Sequence, residues 1–166
     1  VSFIKPLLED SSILKIGQNI KYDLIILKNI GIDVKYFDDT MLMSYVLRTG
    51  KRGHGLDELS KNFLSYKTQK KLEVKKVEKK KISFDEVDIH AAKNYAAEDA
   101  DVTYRLWEIL KLNLIKDKLF DFYFYLERPL IEVIVSMENS GCKIDNTVLK
   151  KLSNEFQEKI KTIEKK

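Results

Sequence analysis

The chain has 166 residues, is 44% hydrophobic, and sets 30 basic against 26 acidic residues for a net charge of +4. That suffices for one ordinary core, or one core plus a fragment of a neighbour. It excludes a membrane helix, because no run of about eighteen apolar residues occurs, and the start Val1-Ser2-Phe3-Ile4-Lys5-Pro6 lacks the pattern of a signal peptide.

Leu7 and Leu8 read as the end of a helix, closed by Glu9-Asp10-Ser11-Ser12, before the apolar run Ile13-Leu14-Lys15-Ile16, a buried strand that Gly17 breaks. From Asn19 the apolar positions Ile20, Leu24, Ile26 and Leu27 keep a helical spacing up to Gly31, a natural C-terminal cap. Asp23 therefore falls in the first turns. A second strand, Val34-Lys35-Tyr36-Phe37, leads into Asp38-Asp39-Thr40, whose side chains can cap the helix carrying Met41, Leu42, Tyr45, Val46 and Leu47. The order is β-α-β-α, which places the chain in the α/β class.

The stretch Thr49-Gly50-Lys51-Arg52-Gly53-His54-Gly55 is glycine-rich and basic and can touch a backbone phosphate. It is no P-loop, since Gly50-Lys51 runs into Arg52 instead of Ser or Thr, and His54 reads as a loop histidine, not a ligand. Leu56, Leu59, Phe63 and Leu64 mark a short helix. Residues 67–81 are dominated by lysine and glutamate and read as an exposed, solvated excursion, with an electrostatic guide for a single strand as the alternative. Ser83-Phe84-Asp85-Glu86 has the spacing of a capping box, opening a helix that restarts near His90 and runs from Tyr95 to Leu114.

A seam in composition at Lys116-Asp117-Lys118 precedes Phe120, Phe122, Tyr123, Phe124 and Tyr125, read as the packing of a domain junction rather than as base-stacking aromatics. Helical spacing resumes from Leu130 through Met137 and ends at Gly141. Cys142-Lys143-Ile144-Asp145 forms an extended link, and Asp145 or Asn146 caps a last helix striped by Val148, Leu149, Leu152, Phe156, Ile160 and Ile163. Cys142 is the only cysteine, so no internal disulfide or zinc cluster exists; it reads as a buried filler and fits a reducing, cytoplasmic interior.

Two motifs carry chemistry. Asn19-Ile20-Lys21-Tyr22-Asp23 and Tyr95-Ala96-Ala97-Glu98-Asp99 each set a polar residue and an aspartate four apart, on one helix face. Two such faces brought together aim Asp23 and Asp99 at one point, the arrangement by which a pair of divalent cations supports in-line attack on phosphorus. The chemistry expected is phosphodiester cleavage. With only four arginines, the positive charge is almost all lysine, suited to sequence-independent phosphate contact, although a charge this mild selects no partner by itself.

Carried by Lys5 to Asp10, Gly17 to Asp23, Phe37 to Leu42, Tyr95 to Thr103, Glu127-Arg128-Pro129-Leu130 and Gly141 to Asp145, the chain resembles the 3′–5′ proofreading exonuclease domain of family-A DNA polymerases of the bacterial polymerase I type, with its ribonuclease-H-like DEDDy fold. The resemblance implies a piece of that fold, mostly helical, over residues 1–115, lacking its first strands. It implies a junction and the first helices of the polymerase domain over 116–166. Asp99 would ligate one cation, Asp23 would act on the second largely through water, Tyr95 would orient the attacking water, and Gln18 with Asn19 would set the DNA strand end. The cofactor implied is a pair of Mg2+ ions, with Mn2+ as substitute. The partners are a single-stranded DNA 3′ end and primer-template DNA, met by a monomer at the bacterial nucleoid, with no membrane.

One departure is severe. The family's first motif, Asp-x-Glu, occurs nowhere in the chain. The reading is of a piece whose first strands precede Val1, which alone hydrolyses DNA negligibly. The rival is a scaffold domain of the same shape that has lost its metal ligands and braces the polymerase.

Overall fold

The computed structural model describes residues 3–68 and 88–164. The charged stretch, beyond Lys67 and Thr68, and the capping box at Ser83-Phe84-Asp85-Glu86 lie outside the described residues. The chain forms two compact units, Val1–Ser136 and Met137–Lys166.

The first unit opens with α1 (Lys5–Glu9), its first turn set by Pro6, whose fixed φ and missing N–H suit that position. Strand β1 (Lys15–Gly17) follows, then α2 (Ile20–Asn29), which buries Ile20 and Leu24 and ends where Gly31 takes φ +77°. Strand β2 (Phe37–Asp39) pairs in parallel with β1 in the register Lys15 to Phe37, Ile16 to Asp38 and Gly17 to Asp39. Then come α3 (Thr40–Leu47), α4 (Leu56–Leu59), a π-helical turn at Ser60–Leu64, and the long α5 (Ile89–Lys116). After a turn at Lys118, in the left-handed region with φ +58°, come α6 (Phe120–Phe122), a second π-helical turn at Tyr123–Glu127 and α7 (Arg128–Ser140).

Both strands are shorter than the hydrophobic runs predict and start later. Asp10 is the reason for the first: its carboxylate accepts from the Ser12 amide and hydroxyl, extending the turn to Ile13. Tyr36 is the reason for the second. Its left-handed backbone, φ +51°, interrupts the extended chain, so Val34 is buried without entering the ladder.

Two apolar clusters hold the unit. One joins Met43, Val46, Leu59, Val102, Leu106, Leu110, Leu114 and Tyr123; the other joins Ile20, Leu24, Ile32, Val34, Phe37, Ile131 and Val135. Spacing along α5 explains the first cluster: Val102, Leu106, Leu110 and Leu114 recur every four residues, one face of one helix.

Between the clusters lies a polar node. Asp38 accepts from Trp107 Nε1 at 2.8 Å, from the Tyr123 hydroxyl at 3.1 Å and from Arg128 at 3.4 Å. Tyr123 in turn accepts the Asp39 amide at 3.0 Å. The Arg128 guanidinium also stands 3.8 Å from the Phe124 ring centroid. The aromatic stretch thus packs inward at Tyr123, while Phe122 and Tyr125 stay exposed.

The second unit holds the last turn of α7, the link through Cys142, and α8 (Asn146–Glu164). Asp145 caps α8 as expected, accepting from the Thr147 and Val148 amides. Cys142 is exposed, correcting the expectation of a buried filler. The link around it is extended and its unit buries no side chain among the described residues, so no core exists there to receive a thiol.

Candidate active site

Asp39 builds the site from below. As the N-cap of α3 it accepts from the Met41 amide at 2.8 Å and the Leu42 amide at 3.4 Å. The same carboxylate accepts from the Asn19 and Ile20 amides, both at 3.0 Å, and so caps α2 as well. Asn19 itself sits in the left-handed region at φ +60°, which asparagine tolerates better than most residues. Burial nevertheless pushes the Asp39 carboxyl above its ordinary pKa, with the four amides opposing.

Above this turn opens a cleft of about 990 Å³ lined by Gln18, Asn19, Tyr22 and Asp23 on one side and by Tyr95, Asp99, Ala100 and Thr103 of α5 on the other. All five residues singled out from the sequence therefore face one space. Asp23 is an exposed residue, yet the cleft walls strip enough water from its carboxyl to raise its pKa. Desolvation also raises Asp99; the hydrogen bond from Tyr95 opposes that shift, and the charges of Glu98 and Asp57 add to it. Burial and Asp99 in turn hold the Tyr95 phenol above its usual range, so it keeps its proton and donates to Asp99.

Neighbouring acids of the second motif are turned to other uses. Tyr66 donates to Glu98 at 2.6 Å, and Asp101 pairs with Arg105 at 3.4 Å. Gln18 is likewise committed: its Nε2 donates to the His54 carbonyl at 2.8 Å and its Oε1 lies 2.6 Å from Thr40 Oγ1. Its position on the cleft is thus fixed by internal bonds. Asp57 and Glu58 also line the cleft, which the sequence reading missed. Their position in the first turn of α4 gave the only signal, and carboxylates there ordinarily serve the helix dipole.

Oxygen donors of this kind suit Mg2+ or Mn2+. Two desolvated carboxylates on one cleft fit such an ion in type, but not in number: among the described residues no three acidic, histidine or cysteine side chains stand together as a metal site.

A family model for the 3′–5′ exonuclease of DNA polymerase A matches residues 1–115. The chain belongs to that family. It is 48% identical over 153 residues to DNA polymerase I of Rhizobium leguminosarum, covering 92% of this chain and 15% of that protein. It is 37% identical over 167 residues to DNA polymerase I of Pseudomonas aeruginosa, covering 98% and 18%. The chain thus spans less than a fifth of the length of these relatives. Among solved structures, the POL domain of Pol1 from M. smegmatis, in complex with DNA primer-template and dNTP, superposes with a TM-score of 0.74 at 20% identity over 97% of this chain and 25% of that one. Brucella melitensis NrnC superposes with a TM-score of 0.63 at 24% identity over 79% and 59%. At these identities both describe the fold alone, mostly helical around a small parallel sheet.

Proposed function

We propose that this exonuclease-family chain is part of a DNA polymerase I and that its cleft removes the 3′-terminal nucleotide of single-stranded DNA. The observation that carries the reading is the convergence of Asp23, Tyr95 and Asp99, from helices separated in sequence by β2, α3 and α4, on one cleft. In this reading residues 1–115 form the nuclease, and 116–166 lead into the polymerase domain.

Asp23 and Asp99 would hold the divalent ions, Mg2+ or Mn2+ in its place, with further donors from outside the described residues. Bound there, the ions supply Lewis-acid polarisation of the phosphodiester and a lowered pKa for water. Tyr95, kept protonated by its surroundings, orients the water for in-line attack. Gln18 and Asn19 receive the strand end. Primer-template DNA is the partner of the whole protein, as in the M. smegmatis complex, and the protein acts as a cytoplasmic monomer at the bacterial nucleoid. Among the described residues no helix is long and apolar enough to cross a membrane.

The chain alone hydrolyses DNA negligibly, because Asp-x-Glu is absent from it. Degradation of a single-stranded oligonucleotide in Mg2+ tests both halves: the whole polymerase shortens it, the 166-residue chain does not, and a chain that does so at the polymerase's rate refutes the need for those two ligands. The absence of a three-donor cluster among the described residues favours a second reading, a scaffold without nuclease activity. A whole polymerase that leaves the oligonucleotide intact selects it.

A further inference from the structure

The basic glycine loop at 49–55 takes no part in the chemistry above, yet one residue ties it into the cleft wall. His54 engages three polar groups at once. Its Nε2 lies 3.0 Å from the Lys51 carbonyl, which can only accept, so Nε2 carries a proton. In the neutral ring Nδ1 is then the acceptor, and Ser44 Oγ of α3 donates to it across 2.9 Å. The main-chain carbonyl of His54 receives Gln18 Nε2 at 2.8 Å. The Tyr45 ring lies beside the imidazole, 5.0 Å between centroids.

These bonds join α3, the loop and the turn before α2. Gln18 keeps its amide nitrogen toward the loop because the His54 carbonyl can only accept, and its oxygen then takes the Thr40 hydroxyl at 2.6 Å. On the far side of His54 the chain runs directly into Gly55, Leu56, Asp57 and Glu58, which line the cleft together with Gln18. Gly53, just before it, stands at φ +90°, a backbone that glycine adopts without strain. The loop's path is therefore fixed on both sides of one imidazole.

We propose that His54 is a positioning residue for the strand-binding wall of the cleft, acting through Gln18 and through the segment Gly55–Glu58. The proposal rests on the single-stranded DNA reading above. The groups that His54 holds belong to Ser44, Lys51 and Gln18, so its loss falls on holding the strand, not on the chemical step.

The test uses the whole polymerase and three substitutions. His54→Gln keeps an amide near Lys51 but gives up Ser44; Ser44→Ala removes the same bond from the other side; His54→Asn keeps a polar atom within reach of Ser44. Binding of a fluorescent single strand in EDTA, steady-state exonuclease kinetics in Mg2+, and amide exchange in segments 15–23 and 50–59 are read together. His54→Gln and Ser44→Ala are expected to raise Kd and KM about fivefold, the worth of one hydrogen bond, with kcat within about twofold. Both speed exchange in the two segments, and His54→Asn recovers most of the binding.

Unchanged exchange in both segments overturns the clamp whether or not the protein is a nuclease. Faster exchange with unchanged Kd and KM overturns the positioning role. A wild-type protein that binds no single strand overturns the nuclease reading and this proposal with it, and does so before any variant is made. Should His54→Gln fail to fold, Ser44→Ala, which removes only a hydroxyl, carries the comparison.

Discussion

Replacing Tyr123 with phenylalanine removes one oxygen and keeps the ring that fills the core. That oxygen donates to Asp38 at 3.1 Å and accepts the Asp39 amide at 3.0 Å, and the side chain is completely buried. A hydrogen bond to a buried carboxylate contributes about 1.5–3 kcal/mol, and a buried amide left without a partner costs about 1–3 kcal/mol. Asp38 keeps Trp107 at 2.8 Å and Arg128 at 3.4 Å, so its charge is not stranded. Burying the phenol oxygen itself has a cost that phenylalanine escapes, offsetting about 1 kcal/mol. The net expectation is a loss of about 2–3 kcal/mol, or a fall in Tm of roughly 5–10 °C for a chain of this size.

Calorimetry on Tyr123→Phe beside Tyr125→Phe measures this, because Tyr125 is 70% exposed and its variant should stay within about 0.5 kcal/mol. A double-mutant cycle with Asp38→Asn should show coupling above about 0.5 kcal/mol, as expected for groups in contact. Burial and the Asp38 charge drive the Tyr123 pKa far up, so the bond persists throughout the alkaline range in which the fold survives. Should Tyr123→Phe prove as stable as the parent, the polar node would be a bystander to packing, and something else would have to hold β2 in place.

A methyl group at Gly17 would stand 2.8 Å from Ile20 Cγ1 and 2.9 Å from its Cβ, so Gly17→Ala should cost about 1–3 kcal/mol by urea unfolding. Asp99→Asn should lower exonuclease kcat in the whole polymerase by roughly a hundredfold or more, in a single-turnover assay, since several kcal/mol of charge stabilisation would be lost. The same variant has a signature in stability. Because the folded state raises the Asp99 pKa above 3.8, the folded chain holds a proton that the unfolded chain releases, so this group's contribution is present below 3.8 and is lost as pH rises through the raised value. Difference curves of Tm against pH should therefore show Asp99→Asn gaining on the parent as pH rises across that window, and a difference that stays flat would contradict the desolvation of this carboxyl. Asp145→Ala should cost about 1 kcal/mol of α8 helicity, read by circular dichroism on melting, because two amides lose their acceptor.

The local half of this structure is legible in the sequence. Helical spacing from Ile20 to Leu27, the stop at Gly31, the cap at Asp39 and the cap at Asp145 all follow from chemistry within a few residues, and all are observed. What stays hidden depends on distant partners or on single backbone torsions. Asp38 draws its partners from positions 107, 123 and 128, and no spacing rule links those to an Asp-Asp pair. Tyr36 leaves the extended region although its neighbours have strand composition, and that moves β2 past the apolar run. The π-helical turn at Ser60–Leu64 falls inside a run whose spacing predicts an ordinary helix, and the one at Tyr123–Glu127 falls in the aromatic stretch read only as junction packing.

The candidate site divides along the same line. Each motif places its aspartate one turn from a polar partner, but neither says that the two helices meet. Their meeting depends on β1 and β2. Gly17 pairs with Asp39, and that register puts one buried carboxylate within 3.0 Å of the amides that begin α2. A slip of one residue would exchange Asp39 for Asp38 or Thr40 at that point and turn the capping side chain to the opposite face of the sheet. Thr40 Oγ1, 3.0 Å from the Gly17 carbonyl, and Tyr123, on the Asp39 amide, oppose the slip from either side of the strand. The cleft's geometry is thus set by buried polar atoms below it, which is why substitutions at Asp39, Thr40 or Tyr123 should disturb the position of Asp23 although none of the three lines the cleft.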